Sequence, residues 1–254
     1  MVRLYRIDHD GKPRYAAERE GRWRLVDGDI FGKFTEGKEI SAEGVRFLAP
    51  VMPSKVVCVG LNYKDHAAEQ NKPLPAEPLL FIKPSTAVIG PDAAIEVPLW
   101  AGRIDHEAEL GIVIGKRASR VPLNRASDHI LGLVCFNDVT ARDLQNKESQ
   151  YTRCKGFDTF APVGPCIAVG LDGRDVQVRG YVNGALRQDS RTRELIFTIP
   201  EMVQFISTVM TLLPGDIIAT GTPSGIGPIK PGDQVTIHVE GVGALTNSVV
   251  ARGD

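Results

Sequence analysis

Glu107 and Glu109 stand two positions apart in Arg103-Ile104-Asp105-His106-Glu107-Ala108-Glu109-Leu110-Gly111-Ile112-Val113-Ile114-Gly115. From Leu110 onward the run is apolar on both faces and β-branched, as in a buried strand. Side chains alternate along a strand, so the two carboxylates project to one side, where they repel unless a cation or proton intervenes. Two acids on a strand are ordinarily a solvated mouth, so further residues must decide. Asp138 is the third acid, at the exit of the apolar run Ile130–Phe136. Oxygen ligands without a nearby His/Cys pair favour Mg²⁺ or Mn²⁺ over zinc, and three of them leave about three of six octahedral positions open. A 2-oxo acid would fill two through its carboxylate and keto oxygen, and the ion would stabilise the enolate formed when a bond at C3 breaks or a proton leaves it.

Two other groups bear on that chemistry. His66 and Glu69 lie three apart in Leu61-Asn62-Tyr63-Lys64-Asp65-His66-Ala67-Ala68-Glu69-Gln70, which reads as one or two helical turns with both residues on one face. They are either a surface pair or a braced general base acting on water or substrate. Lys155, beside Gly156, is either a solvated loop residue or a cation set against the enolate. The loop Ala219-Thr220-Gly221-Thr222-Pro223-Ser224-Gly225-Ile226-Gly227 is glycine-rich, but neither the Lys-Ser/Thr of a P-loop nor a helix follows it, which excludes nucleotide binding. Its amides and the Thr222 hydroxyl can still hold a carboxylate.

The elements that must position these groups are mostly short strands. The chain carries 26 glycines and 17 prolines, many in turn-forming pairs. Val2–Ile7, Arg14–Glu18 and Trp23–Val26 form an N-terminal meander, and the prolines at 50 and 53 mark the boundary of a small N-terminal β domain, residues 1–53, from a catalytic domain, 54–254. Buried strands are expected at Lys55–Gly60, Leu110–Ile114, Ile130–Phe136 and Cys166–Val169, with 155–165 as loop and 71–77 as a connector able to act as a lid. Asn183-Gly184 marks a tight hairpin. Apolar spacing from Pro200 to Leu212 predicts the one clear helix. The expected class is mainly β (α+β).

Composition narrows the partners. Thirty Lys+Arg balance 31 Asp+Glu without a basic stripe or acidic tail, which favours a small molecule over nucleic acid or a membrane surface. The four cysteines, at 58, 135, 154 and 166, lack paired zinc spacing and read as reduced core residues. With no secretory leader at the N-terminus and no apolar run near the roughly 20 residues of a bilayer span, a soluble cytoplasmic protein is expected.

From about Ser54 the chain resembles the fumarylacetoacetate hydrolase superfamily, in the branch of small bacterial members. The resemblance is carried by Val59-Gly60-Leu61-Asn62-Tyr63-Lys64-Asp65-His66, Glu107-Ala108-Glu109-Leu110, Asn137-Asp138-Val139-Thr140-Ala141-Arg142-Asp143, Lys155-Gly156-Phe157-Asp158 and Thr220-Gly221-Thr222-Pro223-Ser224-Gly225-Ile226-Gly227. It implies metal ligands at Glu107, Glu109 and Asp138, a His66/Glu69 dyad on a mobile lid and Lys155 in the site. It also implies substrate contacts from Arg142, Gln145 and Thr222, and a mixed β-sandwich roll that forms a homodimer. His106 replaces a residue often aromatic in relatives and is read as an extra ligand, as lying behind the ligands or as a surface residue. The implied activity is that of a 2-hydroxyhepta-2,4-diene-1,7-dioate isomerase / 5-oxopent-3-ene-1,2,5-tricarboxylate decarboxylase. The alternatives are an acylpyruvate (fumarylpyruvate) hydrolase, an oxaloacetate decarboxylase, and, from another class, a non-catalytic metal-dependent dicarboxylate binder.

Overall fold

In the computed structural model, which describes residues 1–253, the strand Ala108–Ile114 is buried along its whole length. Leu110, Ile112 and Ile114 enter one apolar core and Val113 the other. The strand therefore sits between two cores, and only its N-terminal end opens to polar groups. It pairs antiparallel with Ile130–Asn137, with Glu109 opposite Phe136 and Ala108 opposite Asn137. On its other side it meets Ile217–Ala219.

These three strands are the middle of a 12-stranded mixed sheet. Towards one edge Ala161–Val169, Val2–His9, Lys12–Arg19, Arg22–Gly28 and Phe34–Ile40 follow in order, and towards the other Lys55–Gly60 and Leu79–Pro84. The N-terminal meander thus extends the central sheet, through pairs such as Leu4 with Ile167. A five-stranded sheet packs across the larger core: Val178, Ile237 and Leu245 from it share one cluster with Leu110, Ile112 and Leu133. A three-stranded ribbon of Thr140–Ala141, Ile104–His106 and Gly227–Ile229 closes the end where the acids emerge. The result is a mainly β (α+β) architecture: the short strands are those the turn chemistry predicts, and the mixed sheets are those the resemblance implies.

Three boundaries differ from expectation. The strand expected at Cys166–Val169 begins at Ala161, because a register shift opposite Leu133–Cys135 takes up the segment with Pro165. The helix expected to run to Leu212 covers Ile199–Val209. The Glu201 carboxylate accepts a hydrogen bond from the Thr198 backbone N–H at 2.7 Å, which fixes the helix start. Beyond Val209, Leu212 leaves the helix for a bridge with Ala118. The strand Phe34–Ile40 had no clear alternation to announce it. All four cysteines are buried free thiols, and among the described residues no helix is long and apolar enough to cross a membrane.

Candidate active site

Strand parity brings the three acids together. Glu107 and Glu109 fall on the face of Gly111 and Val113, and Asp138 follows Val134 and Phe136 on the same face of the neighbouring strand. Asp138 N–H donates to the Glu107 carbonyl at 2.9 Å, and Asn137 Oδ1 accepts from Glu107 N–H at 3.0 Å, so both chain ends are fixed. One carboxylate oxygen from each of Glu107, Glu109 and Asp138 lies within 4.8 Å of the others, and all three residues are buried.

Two buried lysines and an arginine surround them. Lys155 Nζ donates to Glu107 Oε2 at 2.9 Å and to Asp138 Oδ2 at 2.5 Å. Arg142 donates through its guanidinium to Glu107 Oε1 and to the Gln145 side-chain carbonyl. Lys83, which sequence reasoning passed over, is fully buried. Its ammonium donates to the carbonyls of Val139 and Phe160 at 2.9 and 2.5 Å and stands 2.7 Å from Asp138 Oδ1. Two of its three protons are directed at carbonyls, and among the described residues Asp138 Oδ1 is balanced by charge but has no aligned hydrogen-bond donor.

Electrostatics divide the acids. Burial pushes Glu107 up, but Lys155 and Arg142 outweigh it and hold the carboxyl well below its usual range. Glu109 is pushed far up, first by burial and then by the charges of Asp138 and Glu107. Its one hydrogen bond among the described residues comes from Gly221 N–H, at 2.8 Å. Lys155 is raised, because Asp138 and Glu107 overcome the burial that would discharge it. An under-donated buried carboxylate oxygen, a crowded Glu109 and an all-oxygen donor set fit a hard divalent cation.

Of the dyad, His66 lines the same space, and Glu69, which is not among the lining residues, holds it through Nδ1. His66 and Glu69 lie on the helix Lys64–Glu69, with His66 Nδ1 2.9 Å from Glu69 Oε2 and its Nε2 2.7 Å from the Gln70 side-chain amide. Glu69 Oε1 accepts from Gly225 N–H at 3.0 Å. The helix is anchored by Asn62, whose amide donates to Thr220 O at 2.8 Å and accepts from Phe197 N–H at 2.7 Å.

His66, Glu107, Glu109, Asp138, Arg142, Gln145, Lys155 and Thr222 all line one cavity of about 470 Å³. The Thr222 hydroxyl is already committed: it donates to Ala108 O at 2.9 Å and accepts from Gln188 Nε2 at 2.7 Å. His106 points away, as its parity requires. Among the described residues its ring nitrogens have no hydrogen-bond partner, and it borders a separate cavity with Arg187 and Gly225. Besides Lys83, sequence reading missed Asp105 and Arg103. Asp105 shares the parity of Glu107 and Glu109, so the same period-two argument reaches it; Lys83 left no such signal.

The chain is similar to known proteins over nearly its whole length. Residues 55–250 match the family model "Fumarylacetoacetate (FAA) hydrolase C-terminal", and residues 2–50 match "Rv2993c-like, N-terminal". A crystal structure of 2-hydroxyhepta-2,4-diene-1,7-dioate isomerase from Mycobacterium marinum superposes with a TM-score of 0.93 at 44% identity, covering 100% of each chain. Oxaloacetate tautomerase FAHD2B, mitochondrial, from Bos taurus is 42% identical over 81% of this chain and 70% of its own length. A maleylpyruvate hydrolase from Sphingobium sp. SYK-6, solved in complex with manganese(II) and pyruvate, has a TM-score of 0.81 at 29% identity over 99% of this chain and 100% of its own.

Proposed function

The chain belongs to the fumarylacetoacetate hydrolase family, and on that footing we propose that it is a Mg²⁺- or Mn²⁺-dependent enzyme acting at C3 of 2-oxo or enol (di)carboxylic acids through an enolate. The reaction assigned to it is proton transfer between C3 and the enol system, as in the 2-hydroxyhepta-2,4-diene-1,7-dioate isomerase / 5-oxopent-3-ene-1,2,5-tricarboxylate decarboxylase type. The single observation that carries the reading is that three buried acids with an under-donated oxygen share a cavity with a braced histidine. The named isomerase and tautomerase relatives support the proton-transfer class, and the manganese–pyruvate complex of the hydrolase supports the choice of ion.

A divalent ion held by Glu107, Glu109 and Asp138 would supply positive charge against the 2-oxo oxygen. Lys155, kept protonated by Glu107 and Asp138, adds a fixed cation beside the same developing charge. Glu69 accepts at Nδ1 of His66 and so assigns the proton to that nitrogen, leaving Nε2 basic. The Gln70 amide now covers Nε2, and a substrate approaching C3-first takes its place. His66 then receives the C3 proton and returns it at the carbon or oxygen that the product requires.

The test is C3–H exchange in D₂O followed by NMR, with oxaloacetate, acetylpyruvate, fumarylpyruvate and 2-hydroxyhepta-2,4-dienedioate each offered with Mn²⁺, with Mg²⁺ and after chelation. Metal-dependent exchange is expected with at least one of them; hydrolytic cleavage of acetylpyruvate or fumarylpyruvate in the same spectra would move the assignment to the hydrolase alternative, and loss of CO₂ from oxaloacetate to the oxaloacetate decarboxylase. Tight binding of a keto acid without exchange would make the protein a metal-dependent dicarboxylate binder. Against that alternative stands His66, whose bracing by Glu69 a binder does not need.

A further inference from the structure

Asp105 takes no part in the steps above, yet it is completely buried and binds two guanidinium groups at once. Its Oδ1 accepts from Arg103 Nε at 2.6 Å, and its Oδ2 accepts from Arg103 Nη2 at 3.1 Å and from Arg142 Nε at 2.9 Å. Arg142 continues inward to Glu107. Arg103 turns the other way: its side chain is 48% exposed, it lines the same cavity, and among the described residues no acceptor meets its Nη1. Its backbone is held as well, since Arg103 N–H donates to Asp143 Oδ2 at 3.0 Å. Gly102 before it, at φ +75°, lies so close that a Cβ would fall 2.2 Å from that oxygen.

Charge gives the complement. Lys83, Arg103, Arg142 and Lys155 stand against Asp105, Glu107, Glu109 and Asp138, four cations to four acids. Glu69 beside His66 and Lys72 on the cavity wall offset each other, so a bound divalent ion leaves two positive charges, which a dicarboxylate cancels and a monocarboxylate does not. Lys72 is the other cation on the cavity wall, but it is exposed on the 71–77 connector and has no ion-pair partner among the described residues. A guanidinium already clamped in a fork loses less freedom on meeting a carboxylate than a free ammonium does.

We propose that Arg103, braced by Asp105, is the specificity-determining anchor for the distal carboxylate of a 2-oxo dicarboxylate whose 2-oxo acid end lies at the three-acid centre. This rests on the function proposed above. The test is calorimetric binding to the full chain loaded with Mn²⁺, using 2-oxoglutarate and 2-oxopentanoate, two five-carbon 2-oxo acids that differ in the distal carboxylate.

The unsubstituted protein is expected to favour 2-oxoglutarate by about 10-fold or more, the scale of one charge-assisted contact. Arg103→Gln should erase that preference while the affinities for 2-oxopentanoate and Mn²⁺ stay within about 2-fold, and Arg103→Lys should recover part of it. An equal loss for both acids, no loss for either, or a selective loss in Lys72→Gln instead would overturn the anchor. If the unsubstituted protein binds 2-oxopentanoate without preferring 2-oxoglutarate, the anchor falls and the reading of the metal centre stands. If it binds Mn²⁺ and neither acid, that reading falls and the anchor with it.

Discussion

Asn62 and Gly221 are in such close contact that a Cβ added to Gly221 would lie 2.8 Å from Cβ of Asn62. Gly221 also has φ +96°, a conformation that only glycine adopts without strain. Its N–H is the donor to Glu109. Gly221→Ala is therefore expected to cost about 1 to 3 kcal/mol in denaturant unfolding and to weaken Mn²⁺ binding as well. Unchanged metal affinity in a destabilised variant would detach Gly221 from the centre.

Glu109→Gln keeps the shape and removes the charge. Because the other two acids are already paired with lysines and an arginine, Glu109 contributes the charge least compensated by the protein. Mn²⁺ affinity, read by calorimetry, should fall by more than about 100-fold, the upper range produced by residues that only support ligands. Retention of affinity within about 3-fold would show that the ion sits elsewhere.

His66→Ala separates binding from turnover. Metal affinity should stay within about 2-fold, while C3–H exchange slows by about 10²- to 10⁴-fold, the usual contribution of a general base. A fully active variant would remove His66 from the mechanism and leave the three-acid centre untouched.

The raised Glu109 makes the metal-free protein sensitive to pH with a definite sign. A carboxyl whose pKa is higher folded than unfolded binds more protons in the folded state, so its contribution is full below the unfolded value of about 4.3 and is lost as pH rises through the folded one. The metal-free chain should therefore lose stability as pH increases above that of an ordinary glutamate, and Mn²⁺ should cancel the loss while displacing the proton. Thermal melts across pH with and without Mn²⁺ test this, and a slope of the opposite sign in the metal-free protein would refute it.

Lys83→Met tests the hidden cation. Removing one partner of a buried ion pair costs about 3 to 5 kcal/mol when a charge is left uncompensated; Asp138 keeps its contact with Lys155, so the loss should fall at the lower end of that range. Denaturant unfolding should show the loss in metal-free protein and a smaller one with Mn²⁺ present. An equal loss in both would mean that Lys83 serves the carbonyls of Val139 and Phe160 rather than the acids.

The acids were legible because two short-range rules reach them: alternation puts Glu107 and Glu109 on one face, and an acid at the end of the next apolar strand has somewhere to go. Asp105 obeys the same alternation, and only its two guanidinium partners, Arg103 and Arg142, reveal what it does. Lys83 was not legible. Its strand lies at the sheet edge, where the burial pattern of Leu79–Pro84 is irregular, and its partners Asp138, Val139 and Phe160 come from distant segments. The proline-containing strand from Ala161 was hidden for a related reason, since its extra residues between Gly164 and Ala168 are taken up only by pairing with Leu133 and Cys135 of a strand distant in sequence.

Gly221 and Gly225 donate to Glu109 and to Glu69 from a single short stretch of backbone. The electrophilic half of the site and its proton-transfer half are thus indexed to the same piece of chain, as two jaws are to one hinge pin. Any shift of that piece moves both halves together, so a ligand that seats it firmly readies acid and base in one event instead of two.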